Sequence, residues 1–205
     1  MKTEILPVSE IQSALKVLQS GGLVAFPTDT VYGLGASAFD DAAIKKIYVA
    51  KNRPVEKAIP ILIADMEDLE KVAEYVPPKA RILAEHFWAG ALTILVPKKK
   101  TLPLSVSATS TVAVRIPNHP EARALLRVVG PMAVTSANIS GGENPSTAQK
   151  VYAQLNGRIP LILDGGKTQG GVPSTLVDCS GEKPVILREG LITLDELTAA
   201  LDPRP

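Results

Sequence analysis

The sequence predicts a mixed α/β fold, a mixed sheet wrapped by helices, in one domain. Three observations carry the prediction. Short apolar runs bounded by Gly, Pro and polar clusters read as strands, roughly eight of them against six or seven helical stripes. Their alternation is irregular, with several strands succeeding one another without a helix, so a clean doubly wound parallel sheet is not expected. No linker-like segment divides the 205 residues, and that length can bury a sizeable core.

The first helix begins at Ser9: Ile11, Ala14, Leu15 and Leu18 form its stripe, Ser9 and Gln12 fit a capping box, and Gly21-Gly22 stop it. Residues 23–26 form a strand that ends at Pro27. Asp40 or Asp41 caps a second helix with Ile44, Ile47 and Tyr48 on one face. Pro54 discourages helix at Arg53, so Lys51 and Arg53 stand at or just past that helix's end. Residues 59–63 read as a strand despite Pro60, which suggests an edge or a bulge. Helices follow over 66–75 and 78–87, the second with Pro in its first turn. Then come strands over 91–96 and 111–116, a helix over 121–129, a strand over 132–135 and a helix over 147–155. Strands over 161–163, 175–177 and 185–187 precede a last helix capped by Thr193 with Glu196.

Composition narrows the function classes. Hydrophobic residues make up 45%, which is globular, and aromatics only 4%, so the core rests on Val, Ile, Leu and Ala. Lys plus Arg number 22 against 21 for Asp plus Glu, a balance that does not announce a nucleic-acid binder. A single cysteine, Cys179, rules out an internal disulfide and suits a reducing cytoplasm. Buried at the end of an apolar run, it reads as a spectator thiol. No leader pattern or membrane-length apolar run is present, so the expectation is a soluble, cytoplasmic protein.

Polar clusters sit at the strand ends and in the turns after them. The first is Phe26-Pro27-Thr28-Asp29-Thr30-Val31-Tyr32-Gly33-Leu34-Gly35, a strand delivering a hydroxyl- and carboxylate-bearing loop. An ordinary turn, with Asp and Thr satisfying local backbone groups, fits the same stretch. Lys51, Arg53 and Lys57 follow the second helix. Thr111 opens a strand that ends near Arg115. Thr135 to Gly142 and Asn144 to Thr147 follow another, and Gly170-Gly171-Val172-Pro173-Ser174-Thr175 and Arg188-Glu189-Gly190 close the series. Hydroxyls and cations from many segments suit a polyanionic ligand, and Gly-rich turns offer it backbone N–H groups. In strand alternation Ala113 and Arg115 share the face opposite Val112 and Val114, where an arginine needs a partner or a ligand.

Other motifs fail. Gly166-Lys167-Thr168 matches the end of a phosphate-binding P-loop, but the motif needs a glycine where Leu161 stands. With His86, His119 and one cysteine, no structural zinc site is expected and no metal-ligating set is assigned. No nucleophile-elbow pattern supports a serine triad.

Six segments in order resemble the signatures of the YrdC/TsaC family: Pro27 to Gly35, Lys51-x-Arg53-Pro54, Trp88-Ala89-Gly90-Ala91-Leu92-Thr93, Val114-Arg115-x-Pro117, Thr135-Ser136-Ala137-Asn138-x-Ser140-Gly141, and Pro173 to Asp178. The agreement runs from about residue 10 to about residue 195, within a single catalytic domain taken as 1–205, the short form of the family. The resemblance implies a YrdC-like open fold, its mixed twisted sheet flanked by helices around a concave basic cavity. It implies an L-threonylcarbamoyladenylate synthase, a nucleotidyltransferase that combines L-threonine, bicarbonate and ATP and releases pyrophosphate. A partner transferase then modifies the adenosine beside the tRNA anticodon, and weak direct tRNA binding is left open.

The resemblance also implies the site. Thr30, Arg115, Ser136 and Ser174 match threonine-contacting positions. Arg53, Lys57, Thr111, Asn138, Ser146 and Arg188 match nucleotide-contacting ones, and Lys51, Arg53, Ser136 and Asn138 form the basic-polar tetrad associated with activity. Mg²⁺ is expected to accompany ATP, held mainly by phosphates and water. Three positions depart from the family pattern: Lys57 for Asn, Leu62 for a threonine-contacting His of the longer members, and Ala89 for Pro. The rival readings are an RNA-binding module without catalysis and a carbamoyl-transfer domain of the HypF type. The near-zero net charge counts against a large phosphate footprint.

Overall fold

The computed structural model describes residues 2–168 and 173–202, so Gly170, Gly171 and Val172 of the last Gly-rich cluster lie outside the described residues. Ten strands form one mixed sheet among those residues: β1 (Glu4–Pro7), β2 (Val24–Phe26), β3 (Gly33–Ser37), β4 (Ile61–Leu62), β5 (Leu92–Pro97), β6 (Thr111–Arg115), β7 (Met132–Ser136), β8 (Leu161–Asp164), β9 (Thr175–Asp178) and β10 (Val185–Arg188). Their spatial order is β1-β8-β2-β3-β7-β4-β6-β5-β9-β10. The pairs β1/β8, β2/β8, β4/β6 and β5/β9 are parallel and the other five are antiparallel. The helices are α1 (Ile11–Gln19), α2 (Asp41–Lys51), α3 (Leu69–Val72), α4 (Pro78–Phe87), α5 (Pro120–Val129), α6 (Ala148–Leu155) and α7 (Leu194–Leu201). None is long and apolar enough to cross a membrane.

Alternation along the strands sends side chains into two cores. On one face, Leu23, Ala25, Leu34, Ala36, Ile61 and Ile94 pack with Ile44 and Ile47 of α2, Leu83 of α4, Val151 of α6 and Leu197 of α7. On the other, Val24, Phe26, Leu62, Met132 and Val134 pack with Ala14 and Leu18 of α1 and Leu125 and Leu126 of α5. Those two helices cover only part of their face. Leu62 is in register with both Met132 and Arg115, so Arg115 shares the α1/α5 face. Beyond β4 that face continues through Thr111 and Ala113 of β6, Leu95 of β5 and Leu176 of β9, all half-exposed and in neither core. This uncovered half of a sheet face is where the site develops.

Four expectations are corrected. The strands number ten, because β1 and β3 were not foreseen. β3 reads Gly-Leu-Gly-Ala-Ser, a poor strand by propensity. Its glycines answer to packing: a Cβ at Gly33 would lie 2.7 Å from Val134 Cγ1, and one at Gly35 would lie 2.7 Å from Met132 Cε. The strand expected over 59–63 is the two-residue β4, and it is interior, between β7 and β6. Pro60 sits just before it and serves as an acceptor, taking a hydrogen bond from Val134 N at 2.8 Å. The helix expected over 66–75 is a 3₁₀ turn (Met66–Asp68) plus the single turn α3, after which Ala73 turns extended and bridges Lys98. Finally, Ser9 does not cap α1: Glu10 is its N-cap residue, with no side-chain cap bond. Elsewhere the caps are as read, with Asp40 accepting from Ala43 N and Thr193 and Glu196 forming a reciprocal capping box.

Candidate active site

The loop between β2 and β3 is the hub. Thr28 Oγ1 donates to Val31 O at 2.6 Å, accepts from Thr30 N and Val31 N, and lies 3.1 Å from Thr30 Oγ1. That is the compact turn the sequence allowed, and it is built on Thr28. Asp29 leaves the turn to reach across the sheet. Its Oδ2 accepts from Arg115 Nη2 at 2.6 Å, and Arg115 Nε donates to Gly90 O at 2.9 Å. Arg115 is 8% exposed, so this pairing meets the requirement that a buried arginine be compensated. Asp29 Oδ1 is buried without a partner among the described residues.

A second arginine stands beside the first. Arg188, at the end of β10, donates from Nε and Nη2 to Ser174 O at 3.2 and 2.9 Å, and from Nη2 to Ser174 Oγ at 3.3 Å. Burial pushes its pKa down, and the charge of Arg115 pushes the same way. Ser174 is itself buried and shares a 2.7 Å hydrogen bond with Thr93 Oγ1. Arg115, Ser174 and Arg188 thus form one grouping on the open half-face, with Thr111 four residues before Arg115 on the same side.

The other grouping lies at the end of β7. Met132 and Val134 belong to the α1/α5 core, so alternation turns Ser136 to that same face. Lys51, the last residue of α2, is 1% exposed, and its Nζ donates to the carbonyl oxygens of Ser136 and Asn138. Burial pulls its pKa down to about 8, and the charge of Arg53 adds to the effect. Asn52, with φ of 51°, turns the chain out of the helix, and Arg53 then clasps its own loop through Nε to Lys57 O (3.1 Å) and Nη2 to Ala58 O (2.9 Å). Asn138 Nδ2 donates to Ile139 O and Gly142 O, while its Oδ1 is buried and unpartnered among the described residues. Tyr32 joins the groupings. Its N–H donates to Pro145 O and its carbonyl accepts from Ala137 N. Its hydroxyl donates to Gly166 O at 2.8 Å and accepts from Gly165 N at 3.2 Å. Burial pushes the Tyr32 hydroxyl up to about 12.

Not every sequence-predicted residue is held this way. Lys57 is exposed and bonds through its backbone: its N–H donates to Pro54 O, and its carbonyl accepts from Tyr48 Oη and Arg53 Nε. Ser146 is half-buried and accepts through its carbonyl from Thr168 N. Thr111 Oγ1 lies 3.2 Å from Thr109 Oγ1. Leu62 packs in the core with Met132, next to Arg115 in register. A cavity of about 760 Å³, lined by Tyr48, Val55 and residues 100–105, adjoins α2 and includes none of the predicted site residues. Among the described residues no three His, Cys, Asp or Glu side chains converge as metal ligands. Cys179 is buried, and burial pushes its thiol up to about 12, as suits a spectator.

Three contributors escaped the sequence reading: Asp29 as the partner of Arg115, Thr93 as the partner of Ser174, and Tyr32 as the link between segments. Asp29 and Arg115 are 86 residues apart, and no local pattern marks such a pair.

The Sua5/YciO/YrdC family model, described as "Telomere recombination", matches residues 16–190. The threonylcarbamoyl-AMP synthase of Bacillus subtilis is 45% identical over 197 residues, 95% of this chain and 57% of that protein. The threonylcarbamoyl-AMP synthase of Pyrococcus abyssi is 44% identical over 92% of this chain and 56% of that protein. A crystal structure of Pyrococcus abyssi Sua5 complexed with L-threonine superposes with a TM-score of 0.92 at 41% identity, covering 97% of this chain and 61% of that one. The chain therefore spans a little over half the length of these relatives.

Proposed function

Because the chain belongs to the Sua5/YciO/YrdC family, we propose that it is an L-threonylcarbamoyladenylate synthase, forming threonylcarbamoyl-AMP and pyrophosphate from L-threonine, bicarbonate and ATP. The observation that carries the reading is the loop over 27–32: Asp29 is bonded to Arg115 at one grouping of cations and hydroxyls, and Tyr32 is bonded to the backbone of the other. Two substrates of opposite ends, an amino-acid carboxylate and a nucleotide triphosphate, call for two such groupings on one frame.

The chemistry we assign is positional and electrostatic. The threonine amine attacks bicarbonate with loss of water, and a carbamate oxygen then attacks the α-phosphate, expelling pyrophosphate. Arg115 receives the threonine carboxylate as a fork, a geometry lysine cannot reproduce. Thr30 and Ser174 read the polar groups of the amino acid, and Ser136 and Asn138 bridge it to the nucleotide. Lys51 and Arg53 offset the charge that moves toward the leaving pyrophosphate. A lysine whose pKa is about 8 is still mostly an ammonium at neutral pH. Lys57, Thr111, Ser146 and Arg188 complete the nucleotide contacts. A Mg²⁺ accompanying ATP would be held mainly by its phosphates and water, and would offset phosphate charge there. The product then passes to a tRNA-modifying transferase.

The test is direct. The protein is incubated with ATP, labelled bicarbonate and each of several amino acids, and the mixture is searched for an acyl adenylate. Label should enter an adenylate with threonine alone. Tight ATP binding with no adenylate from any amino acid would overturn the reading.

A further inference from the structure

We infer that Asp29 is a positioning residue for the amino-acid subsite: it sets the plane of the Arg115 guanidinium so that one edge stays open for a carboxylate. The inference rests on the functional reading above and extends it to a residue that reading leaves without a role.

A guanidinium has five N–H groups in a rigid fork. Arg115 Nε is taken by Gly90 O and one N–H of Nη2 by Asp29 Oδ2. Nε and one N–H of Nη2 form one edge of the fork, and we place both anchors on that edge. Nη1 has no partner among the described residues, and with the second N–H of Nη2 it forms the free edge. That edge belongs to a side chain on the uncovered half of the sheet face. With only one anchor the plane could rotate; with two it is fixed.

Charge supports the same assignment. Arg115 and Arg188 lie near enough for the first to act on the second. Asp29 is the carboxylate paired with Arg115, and Arg188 has no carboxylate partner among the described residues. Asp29 offsets the repulsion between the two arginines and leaves the grouping cationic, able to take an anion. The pairing is not arranged for maximal satisfaction of Asp29. Its Oδ1 is buried and unpartnered, while the neighbouring Thr28 and Thr30 hydroxyls turn to each other and to Val31 O. A stabilising ion pair would be expected to satisfy both oxygens; this one spends a single oxygen to aim Arg115.

The experiment is a double-mutant cycle read by calorimetry on the whole chain. L-threonine, ATP and L-threoninol, which lacks the carboxylate, are titrated into the wild type, Asp29→Ala, Asp29→Asn, Arg115→Ala and the Asp29→Ala/Arg115→Ala double variant. We expect Asp29→Ala to weaken L-threonine at least tenfold, and Asp29→Asn, which keeps an acceptor oxygen, to recover part of that. ATP and threoninol affinities should stay within twofold of the wild type. In the Arg115→Ala background the Asp29→Ala change should add nothing. Additive losses, or an equal loss of ATP affinity, would mean that Asp29 only holds its loop, and would overturn the inference. An unchanged L-threonine affinity in Asp29→Ala would overturn it too, while leaving the functional reading intact. A wild type that does not bind L-threonine would sink both. If Asp29→Ala melts early, Asp29→Asn and the charge-neutral double variant decide the question alone.

Discussion

Replacing Lys51 by methionine should change the pH dependence of stability more than stability itself at neutral pH. The folded protein holds the Lys51 ammonium at a pKa of about 8, with burial the main cause and Arg53 the second, against an ordinary 10.5. A group whose pKa is lowered on folding penalises the folded state while it is charged. The penalty is full below about pH 8 and disappears as pH rises from there to 10.5. At about 1.4 kcal/mol per pH unit the interval is worth roughly 3 kcal/mol. This is an upper bound, because the carbonyls of Ser136 and Asn138 favour the charged donor. Methionine abolishes the penalty but leaves those two carbonyls without their donor, at about 1–3 kcal/mol each. Near pH 7 the two effects roughly cancel. Near pH 10 the wild type has shed its penalty and still donates as a neutral amine, so the variant should fall behind by roughly 3 kcal/mol. Urea denaturation of both proteins between about pH 7 and about pH 10 measures the difference, and other titrating groups drop out of it. A wild-type-minus-variant difference that stays flat across that range would refute the reasoning.

Arg115→Ala should weaken L-threonine by roughly 3 kcal/mol, the scale for losing one partner of a buried charge-assisted pair, and ATP by much less; calorimetry showing equal losses would reverse the assignment of roles. Gly35→Ala places a Cβ 2.7 Å from Met132 Cε and 3.1 Å from Val134 Cγ2, and such overpacking costs about 1–3 kcal/mol. An unchanged melting temperature would show that β3 is not pinned by close approach. Tyr32→Phe removes a hydroxyl bonded to Gly166 O and Gly165 N, at about 1–2 kcal/mol near neutral pH. The folded Tyr32 pKa is pushed up to about 12 from an ordinary 10.0, so its contribution is full below pH 10 and lost as pH rises toward 12. The variant should therefore lack the last tyrosinate step in an absorbance titration, and retention of that step would place the high pKa on another tyrosine.

Much of the fold was legible because hydrophobic period is a local property. The stripes of α1, α2, α5 and α6, and the alternation in β5, β6 and β7, appear directly in the residue order. The elements that were misread are those where a distant contact overrode the local signal. β3 reads locally as a glycine-closed turn, yet it is a central strand whose Gly33 and Gly35 lie too close to Val134 and Met132 to carry side chains. Residues 59–63 looked like an edge because of Pro60, yet β4 is interior: Pro60 has no N–H to give, and the sheet uses its carbonyl instead.

The site divides in the same way. The residue order settles which side chains are available and in what succession: the hydroxyl loop over 27–32, Lys51 and Arg53 at and past the end of α2, Arg115 facing away from Val112 and Val114, Ser136 and Asn138 at and past the end of β7. Alternation, proline and the helix stop fix these within a few residues of chain. Which of them meet is settled by packing across the sheet. That Asp29 takes Arg115, that Lys51 donates hydrogen bonds to the carbonyls of Ser136 and Asn138, and that Arg188 folds onto Ser174 are pairings across 86, 85 and 87, and 14 residues. The order of strands in the sheet sets these meetings, and so does the reach of α1 and α5, which stop short of β6 and leave half a face uncovered. A buried charge is tolerated only where another element brings its partner, and that partner is chosen by the packing of the whole sheet.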